Sequence, residues 1–121
     1  MSLKLAKIAV TIAAGASTGT ANASPMPTGY IEEIYLDYAQ TSAVSNVTII
    51  EAGHSQPILA VTNNQTDGAY YPRIAAVNPA NVTFGSDGAV PIAVVSPLTV
   101  SITGGNIAAP AVTAYIKVRT L

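Results

Sequence analysis

The sequence predicts an all-β fold: a single-domain antiparallel β-sandwich, or jelly-roll-like barrel, of about seven or eight strands. Three observations carry this prediction. Val, Ile, Thr and Tyr recur in short runs in which apolar and polar residues alternate, as they do in half-buried strands. Clusters of Gly, Pro, Asn, Asp and Ser separate these runs at intervals of roughly 8–15 residues. No stretch has helical spacing for more than a turn or two, and 121 residues suffice for one modest core.

The N-terminal segment, residues 1–14, is predicted to be the first strand or an N-terminal arm. Its large apolar residues do not keep one alternation, because Leu3 and Leu5 have one parity while Ile8 and Val10 have the other. A slip of one residue reverses the faces of a strand. We therefore expect either a β-bulge or a separate N-terminal arm near Ala6 and Lys7.

The same segment also has the layout of a secretory signal sequence. Residues 1–23 contain two lysines, an apolar run and an Ala-Asn-Ala motif of the kind that precedes a cleavage site. Because the apolar run alternates as strands do, we favour the strand. No run reaches the ~18 apolar residues that a membrane span needs, so no membrane partner is expected.

The centre of the chain alternates between loop and strand patterns. Residues 15–28 are rich in Gly, Ser, Thr, Ala and Pro and are predicted to be a loop. In the strand that follows, Ile34, Leu36 and Tyr38 share one face and are expected to point inward. The strands predicted in this part of the chain are residues 30–39, 46–51, 58–62 and 74–77.

The C-terminal part has the clearest strand patterns. Residues 82–84 and 90–94 are short candidate strands, and Pro91 confines the second to a sheet edge or to the start of a strand. Residues 98–103 and 112–118 alternate almost perfectly between apolar and polar side chains. These last two segments are the clearest predicted strands of the chain.

The charge content predicts association with other protein surfaces. Only 9% of the residues are charged, against about 25% in typical soluble domains, and the net charge is −1. Little electrostatic repulsion therefore keeps copies of the chain apart. The five Lys and Arg residues are scattered along the chain, so no basic stripe for nucleic acid is expected.

The sequence predicts no catalytic residue, and we expect that the protein is not an enzyme. Its only histidine, His54, lies between Glu51 and Ser55 on one predicted turn. A catalytic triad normally converges from separate segments, because three neighbours on one turn do not line up as a proton relay. We interpret His54 as an exposed turn residue.

No metal or cofactor site is predicted either. The chain has no cysteine, and its six acidic residues do not form the oxygen-ligand spacing of a calcium loop. Glu32 and Glu33 are neighbours on a predicted strand, so we expect their side chains on opposite faces. Gly104 precedes a strand, whereas a phosphate-binding glycine loop precedes a helix.

Two groups of residues are candidates for a protein interface. Tyr70, Tyr71 and Arg73 lie between turn clusters, and Tyr and Arg are enriched at interfaces. The alternative for these tyrosines is that they fold back over the edge of the core. The second group lies on the first strand, which we expect to pair with or lie against a neighbouring subunit. Its candidate residues are Leu3, Leu5 and Lys7.

Four segments carry a resemblance to known proteins. They are KIAVTIAAG at residues 7–15, GYIEEIYLDY at 29–38, SPLTVSITGG at 96–105 and VTAYIKV at 112–118. Together they resemble the small β virion proteins of tailed bacteriophages, which typically decorate or cement the capsid. The resemblance implies a homo-oligomer on the capsid surface of the virion, with the major capsid protein as its partner, and it transfers no site residue.

The leading expectation is therefore a capsid decoration protein that stabilises the phage head shell. A second hypothesis places the chain in the neck or tail of the virion, where ring symmetry sets the copy number. A third hypothesis, from another class, is a secreted bacterial adhesion or pilus-like subunit with a cleaved signal peptide.

Overall fold

The computed structural model describes seven stretches of the chain: residues 2–11, 18–22, 28–38, 44–53, 55–75, 89–104 and 111–120. These stretches contain eleven β-strands and no helix, which confirms the predicted all-β class. The strands are β1 (Leu3–Val10), β2 (Thr18–Asn22), β3 (Gly29–Tyr38), β4 (Ser45–Glu51), β5 (Gln56–Asn64), β6 (Gly68–Tyr70), β7 (Arg73–Ala75), β8 (Ala89–Pro91), β9 (Ala93–Val94), β10 (Leu98–Thr103) and β11 (Val112–Thr120).

Two antiparallel sheets form the sandwich. Sheet A has the order β1-β11-β3-β6, and β9 pairs with β3 on the same side as β6. Sheet B has the order β2-β10-β4-β5. A small third sheet consists of β7 and β8. Both of its strands are edge strands, and an edge strand tolerates Pro91, which has no N–H to donate.

The core lies between the inner faces of sheets A and B. The alternating apolar residues of β10 and β11 are fully buried, as their sequence patterns predict. Ile34, Leu36 and Tyr38 of β3 also point inward, which confirms the predicted faces of that strand. The fully buried core side chains include Val10, Ile31, Ile34, Leu36, Val47, Ile49, Val94, Leu98, Val100, Ile102, Ile116 and Val118.

The N-terminal strand is regular, so the predicted bulge is wrong. β1 pairs with β11 without a register shift, from Leu3 opposite Arg119 to Val10 opposite Val112. The two parities are explained by exposure, because Leu3 and Leu5 point to solvent while the inward residues become buried towards the end of the strand.

The structure contains strands that the sequence patterns do not indicate. β2 lies inside the predicted loop at residues 15–28, and it pairs with β10 over its whole length. The inward residues of β2 are Gly19 and Ala21, and a side chain at Gly19 would collide with the Thr11 carbonyl. Only small residues fit there, so the apolar alternation that marks a strand is missing.

Several predictions fall on residues outside the described stretches. The strand predicted at residues 82–84 and the turn residue His54 are among them. Within the described stretches, no helix is long and apolar enough to cross a membrane.

Candidate interaction surface

The outer face of sheet A carries the first group of predicted interface residues. Leu3 and Leu5 are 60% and 59% exposed, and they stand on the side of β1 that points away from the core. Lys7 lies on the same face, with its Nζ 5.8 Å from the centre of the Tyr115 ring. This cation–π contact draws the ammonium group inward over the sheet.

Tyrosines continue this face across the sheet. Tyr115 of β11 lies opposite Tyr35 of β3, and Tyr30 lies opposite Arg119 nearer the other end of the pair. Tyr30 and Tyr35 are exposed, and Tyr115 is half-buried. Because cross-strand neighbours on one face are in contact range, the leucines, lysine and tyrosines form one continuous surface.

A β-bulge places two carboxylates on the same outer face. Opposite β11, the register of β3 jumps from Glu33 to Ile31, so Glu32 is an extra residue. Ile31 and Ile34 are both fully buried, which leaves Glu32 and Glu33 together on the outer side. The expectation that these two side chains point to opposite faces is therefore wrong.

Both carboxylates are paired with cations from β11. Glu33 lies 3.5 Å from the Lys117 ammonium, and Glu32 pairs with the Arg119 guanidinium. An open pocket of about 430 Å³ adjoins the second pair, lined by Ser2, Leu3, Glu32 and Arg119. Among the described residues that line this pocket, the charges of Glu32 and Arg119 neutralise each other.

The second predicted group lies at the opposite edge of sheet A. Tyr70 points inward, packs against the core and accepts a hydrogen bond from the Asn64 side chain at 3.3 Å. Tyr71 is 61% exposed. The two tyrosines therefore divide between the two alternatives, since Tyr70 folds over the core edge and Tyr71 stays in solvent.

Arg73 holds the interrupted edge of β3 together. Its guanidinium donates to the carbonyls of Pro72, Ile31 and Glu32 at 2.7, 3.4 and 3.5 Å. Those two β3 carbonyls lie between the stretches that pair with β9 and β6. Arg73 thus makes structural hydrogen bonds within the chain, while its side chain and that of Tyr71 both remain exposed.

The outer face of sheet B has a different chemistry. Among the described residues, no charged side chain lies on it. Thr20 contacts Ser101 through their hydroxyls at 3.4 Å, and the Thr99 hydroxyl donates to the Asn22 side chain at 2.8 Å. The outward residues of this face are Thr18, Thr20, Asn22, Asn46, Thr48, Ile50, Pro57, Ala60, Thr62, Thr99, Ser101 and Thr103.

Glu51, which precedes His54 and Ser55 on the predicted turn, makes hydrogen bonds that hold two turns together. It is 2% exposed at the end of β4, and its Oε2 accepts the backbone N–H groups of Val95 and Ser96 at 2.8 and 3.2 Å. The Ser96 hydroxyl in turn accepts the Gly53 N–H at 3.1 Å. These bonds join the turn after β4 to the turn before β10.

The described residues contain no group of three or more His, Cys, Asp or Glu side chains that could hold a metal ion. No family model, no curated protein and no solved structure matches the chain. The resemblance to phage virion proteins therefore stays a prediction from the sequence.

The sequence indicates part of this surface. It singles out Leu3, Leu5 and Lys7, but not Tyr115, which the period-two pattern of β11 places beside Lys117 on the outward side. A signal for the bulge is also present, because two glutamates between Ile31 and Ile34 break the alternation. What the sequence does not give is the pairing of β1, β11 and β3 side by side.

Proposed function

We propose that this protein is a structural component of a phage virion, a decoration protein that binds the outside of the head shell and stabilises it. The major capsid protein is its partner, and the outer face of sheet A is the surface that meets the shell. The sequence resemblance and the low charge content support this role.

The contrast between the two outer faces is the observation that carries the proposal. The outer face of sheet A presents tyrosines, exposed leucines and an arginine, and aromatic residues and Arg are enriched in protein interfaces. Glu32 and Glu33 of this face are paired with Arg119 and Lys117 within the chain, and Lys7 lies over the Tyr115 ring. The outer face of sheet B presents mainly hydroxyl and amide groups, which water solvates well, together with the exposed Ile50.

The mechanism is mechanical. A rigid sandwich that contacts two neighbouring capsid subunits adds its buried apolar area to the free energy needed to separate them. Each Å² of apolar surface buried contributes about 25 cal/mol before the cost of ordering is subtracted. Repeated over the many equivalent positions of a shell, a modest contact resists rupture effectively.

The experiment mixes the purified chain with undecorated shells of its phage and measures the bound fraction by co-sedimentation. We expect saturable binding at hundreds of copies per shell, because decoration follows the shell's symmetry. The double variant Tyr35→Ser/Tyr115→Ser should bind at least tenfold more weakly, since it removes the aromatic centre of the face.

The matched control is Ile50→Ser/Val95→Ser, which removes two exposed apolar side chains elsewhere and should bind like the native chain. Circular dichroism checks that both variants are folded. Absence of saturable binding would refute decoration. About a dozen copies or fewer in the native particle would favour the neck or tail instead.

A further inference from the structure

Among the described residues, no strand pairs with the outer edge of β1, which we call the free edge. The Thr120 N–H donates to the Ser2 carbonyl at 2.8 Å, and the regular register continues to Val10. Even-numbered residues of β1 thus bond to β11, and in an antiparallel ladder the groups of alternate residues point the other way. The N–H and C=O groups of Leu3, Leu5 and Lys7 therefore point to the free edge.

The other outer strands of sheets A and B are less suited to pairing. The β4–β5 register is interrupted twice, and β5 contains Pro57. The edge beyond β3 is divided between the short strands β6 and β9, and β2 has five residues. Bulges, prolines, short strands and lysines are features that protect sheet edges. β1, with eight residues in unbroken register, lacks the first three, and its charged residues are Lys4 and Lys7.

The first half of β1 carries two exposed apolar side chains and two lysines along the free edge. Leu3 and Leu5 lie side by side on the outer face, each about three-fifths exposed. Lys7 is held over the Tyr115 ring, away from the edge, and Lys4 projects on the other face. β2 approaches β1 at its far end, where Gly19 lies against Thr11. Residues 3–7 are thus the accessible half of the strand.

We infer that the free edge of β1 pairs antiparallel with the free edge of β1 in a second copy of this chain, about a two-fold axis at Leu5. This register sets Leu5 opposite the second copy's Leu5 and Lys4 opposite its Ala6. Lys7 then lies opposite Leu3, so no lysine faces a lysine. Cross-strand apolar pairs stabilise such a ladder, whereas like charges destabilise it.

Other two-fold registers are less favourable. An axis at Lys4 or at Lys7 would place two ammonium groups directly opposite each other. An axis at Ala6 would extend the pairing to Ala9, towards the end of β1 that β2 approaches. The register at Leu5 satisfies about six backbone hydrogen bonds within residues 3–7.

Pairing of the two β1 strands would also join the outer faces of sheet A of both copies into one surface. The two-fold axis of an antiparallel pair is perpendicular to the sheet, so side chains opposite each other stand on the same face. Leu5 of both copies would then lie between the two tyrosine surfaces. The inference deepens the proposed decoration role by naming the contact between copies, and its test uses no shell.

The first experiment measures the mass of the chain in solution by sedimentation velocity over a dilution series. We expect a reversible dimer for the native chain and a monomer for Leu5→Pro. The proline removes an N–H that points to the free edge, so pairing with β11 is retained. Circular dichroism verifies the fold. A native chain that stays monomeric throughout, or a folded Leu5→Pro variant that still dimerises, would overturn the inference.

A second variant keeps the test decisive if Leu5→Pro does not fold. The chain has no cysteine, so a single cysteine can form disulfides only between copies. Opposed residues of a hydrogen-bonded pair have Cα atoms about 5.5 Å apart, within disulfide range. Leu5→Cys should therefore cross-link at least tenfold faster than Val95→Cys, whose side chain is 64% exposed far from β1 in sequence.

Equal cross-linking rates for the two cysteine variants would contradict the pairing. The result is separable from the proposed function, because shell binding is measured independently. A chain that binds shells but neither dimerises nor cross-links at Leu5 would refute the edge pairing alone.

Discussion

Tyr38 shows how one residue connects the core to a turn. Its side chain is buried among core residues, and its backbone N–H donates to Asp67 at 2.7 Å. Burial raises the pKa of the Tyr38 hydroxyl above the ordinary tyrosine value near 10, and the neighbouring Tyr70 and Asp67 act in the same direction. The neighbouring Asn64 side chain acts the opposite way but does not outweigh them. The protonated form is thus favoured in the folded state.

We predict that the native chain loses stability as the pH rises above about 10. In that range the unfolded chain has released the Tyr38 proton while the folded chain still holds it, so the free energy of unfolding falls with pH. Below pH 10 the contribution is complete. Urea denaturation between pH 8 and about 11 measures it, and Tyr38→Phe should flatten the curve.

The control for this prediction is Tyr35→Phe, which changes an exposed tyrosine on the same strand. Its curve should fall with pH as the native curve does. Parallel curves for the native chain and Tyr38→Phe would show that burial of this hydroxyl does not govern the alkaline loss.

At the level of elements, β3 organises sheet A although its outer side is interrupted. β11 pairs with the whole of β3, whereas β9 and β6 pair with its two ends on the other side. The gap coincides with the bulge at Glu32, and Arg73 donates to the carbonyls exposed there. One planar guanidinium reaches several acceptors, which a lysine ammonium on a flexible stem does less well.

We predict that Arg73→Ala lowers the free energy of unfolding by about 1–2 kcal/mol, because two β3 carbonyls lose their donor. Arg73→Lys should recover part of this loss. Arg119→Ala is the matched control: it removes the arginine of a solvent-exposed ion pair and should cost less than about 1 kcal/mol. Urea denaturation compares the three variants. A smaller loss for Arg73→Ala than for Arg119→Ala would contradict a stabilising role of the hydrogen bonds from Arg73 to β3.

The elements that sequence patterns predict are those whose alternation reflects burial directly. β10 and β11 are examples, since every inward position holds an apolar residue. β2 has the same pairing but only Gly19 and Ala21 inward, because the chain passes close to β1 there. In β1 the exposed Leu3 and Leu5 lie on the face opposite to the buried Ile8 and Val10, so apolar residues occur on both faces of the strand. Sequence alternation therefore predicts a strand poorly in two cases: where a neighbouring strand leaves room only for small residues, and where apolar residues face solvent.

At the scale of the whole molecule, long-range pairing creates the candidate surface. Leu3 lies opposite Arg119, and Lys7 opposite Tyr115, although more than a hundred residues separate each pair. The sequence suggests the β1 residues as an interface but contains no local signal that brings them beside the tyrosines of β3 and β11. Pairing of β3 with β6 holds Tyr70 at the opposite edge of sheet A, and Arg73 donates to β3 carbonyls at the same edge. Both side chains form hydrogen bonds within the chain.

The whole-molecule claim is that the chain strengthens a shell by binding across its subunits through the outer face of sheet A. The most direct measurement is the temperature at which undecorated shells rupture, with and without the purified protein. We predict a higher rupture temperature with the native chain and with Ile50→Ser/Val95→Ser, and no rise with Tyr35→Ser/Tyr115→Ser. An unchanged rupture temperature at saturating native protein would contradict the account.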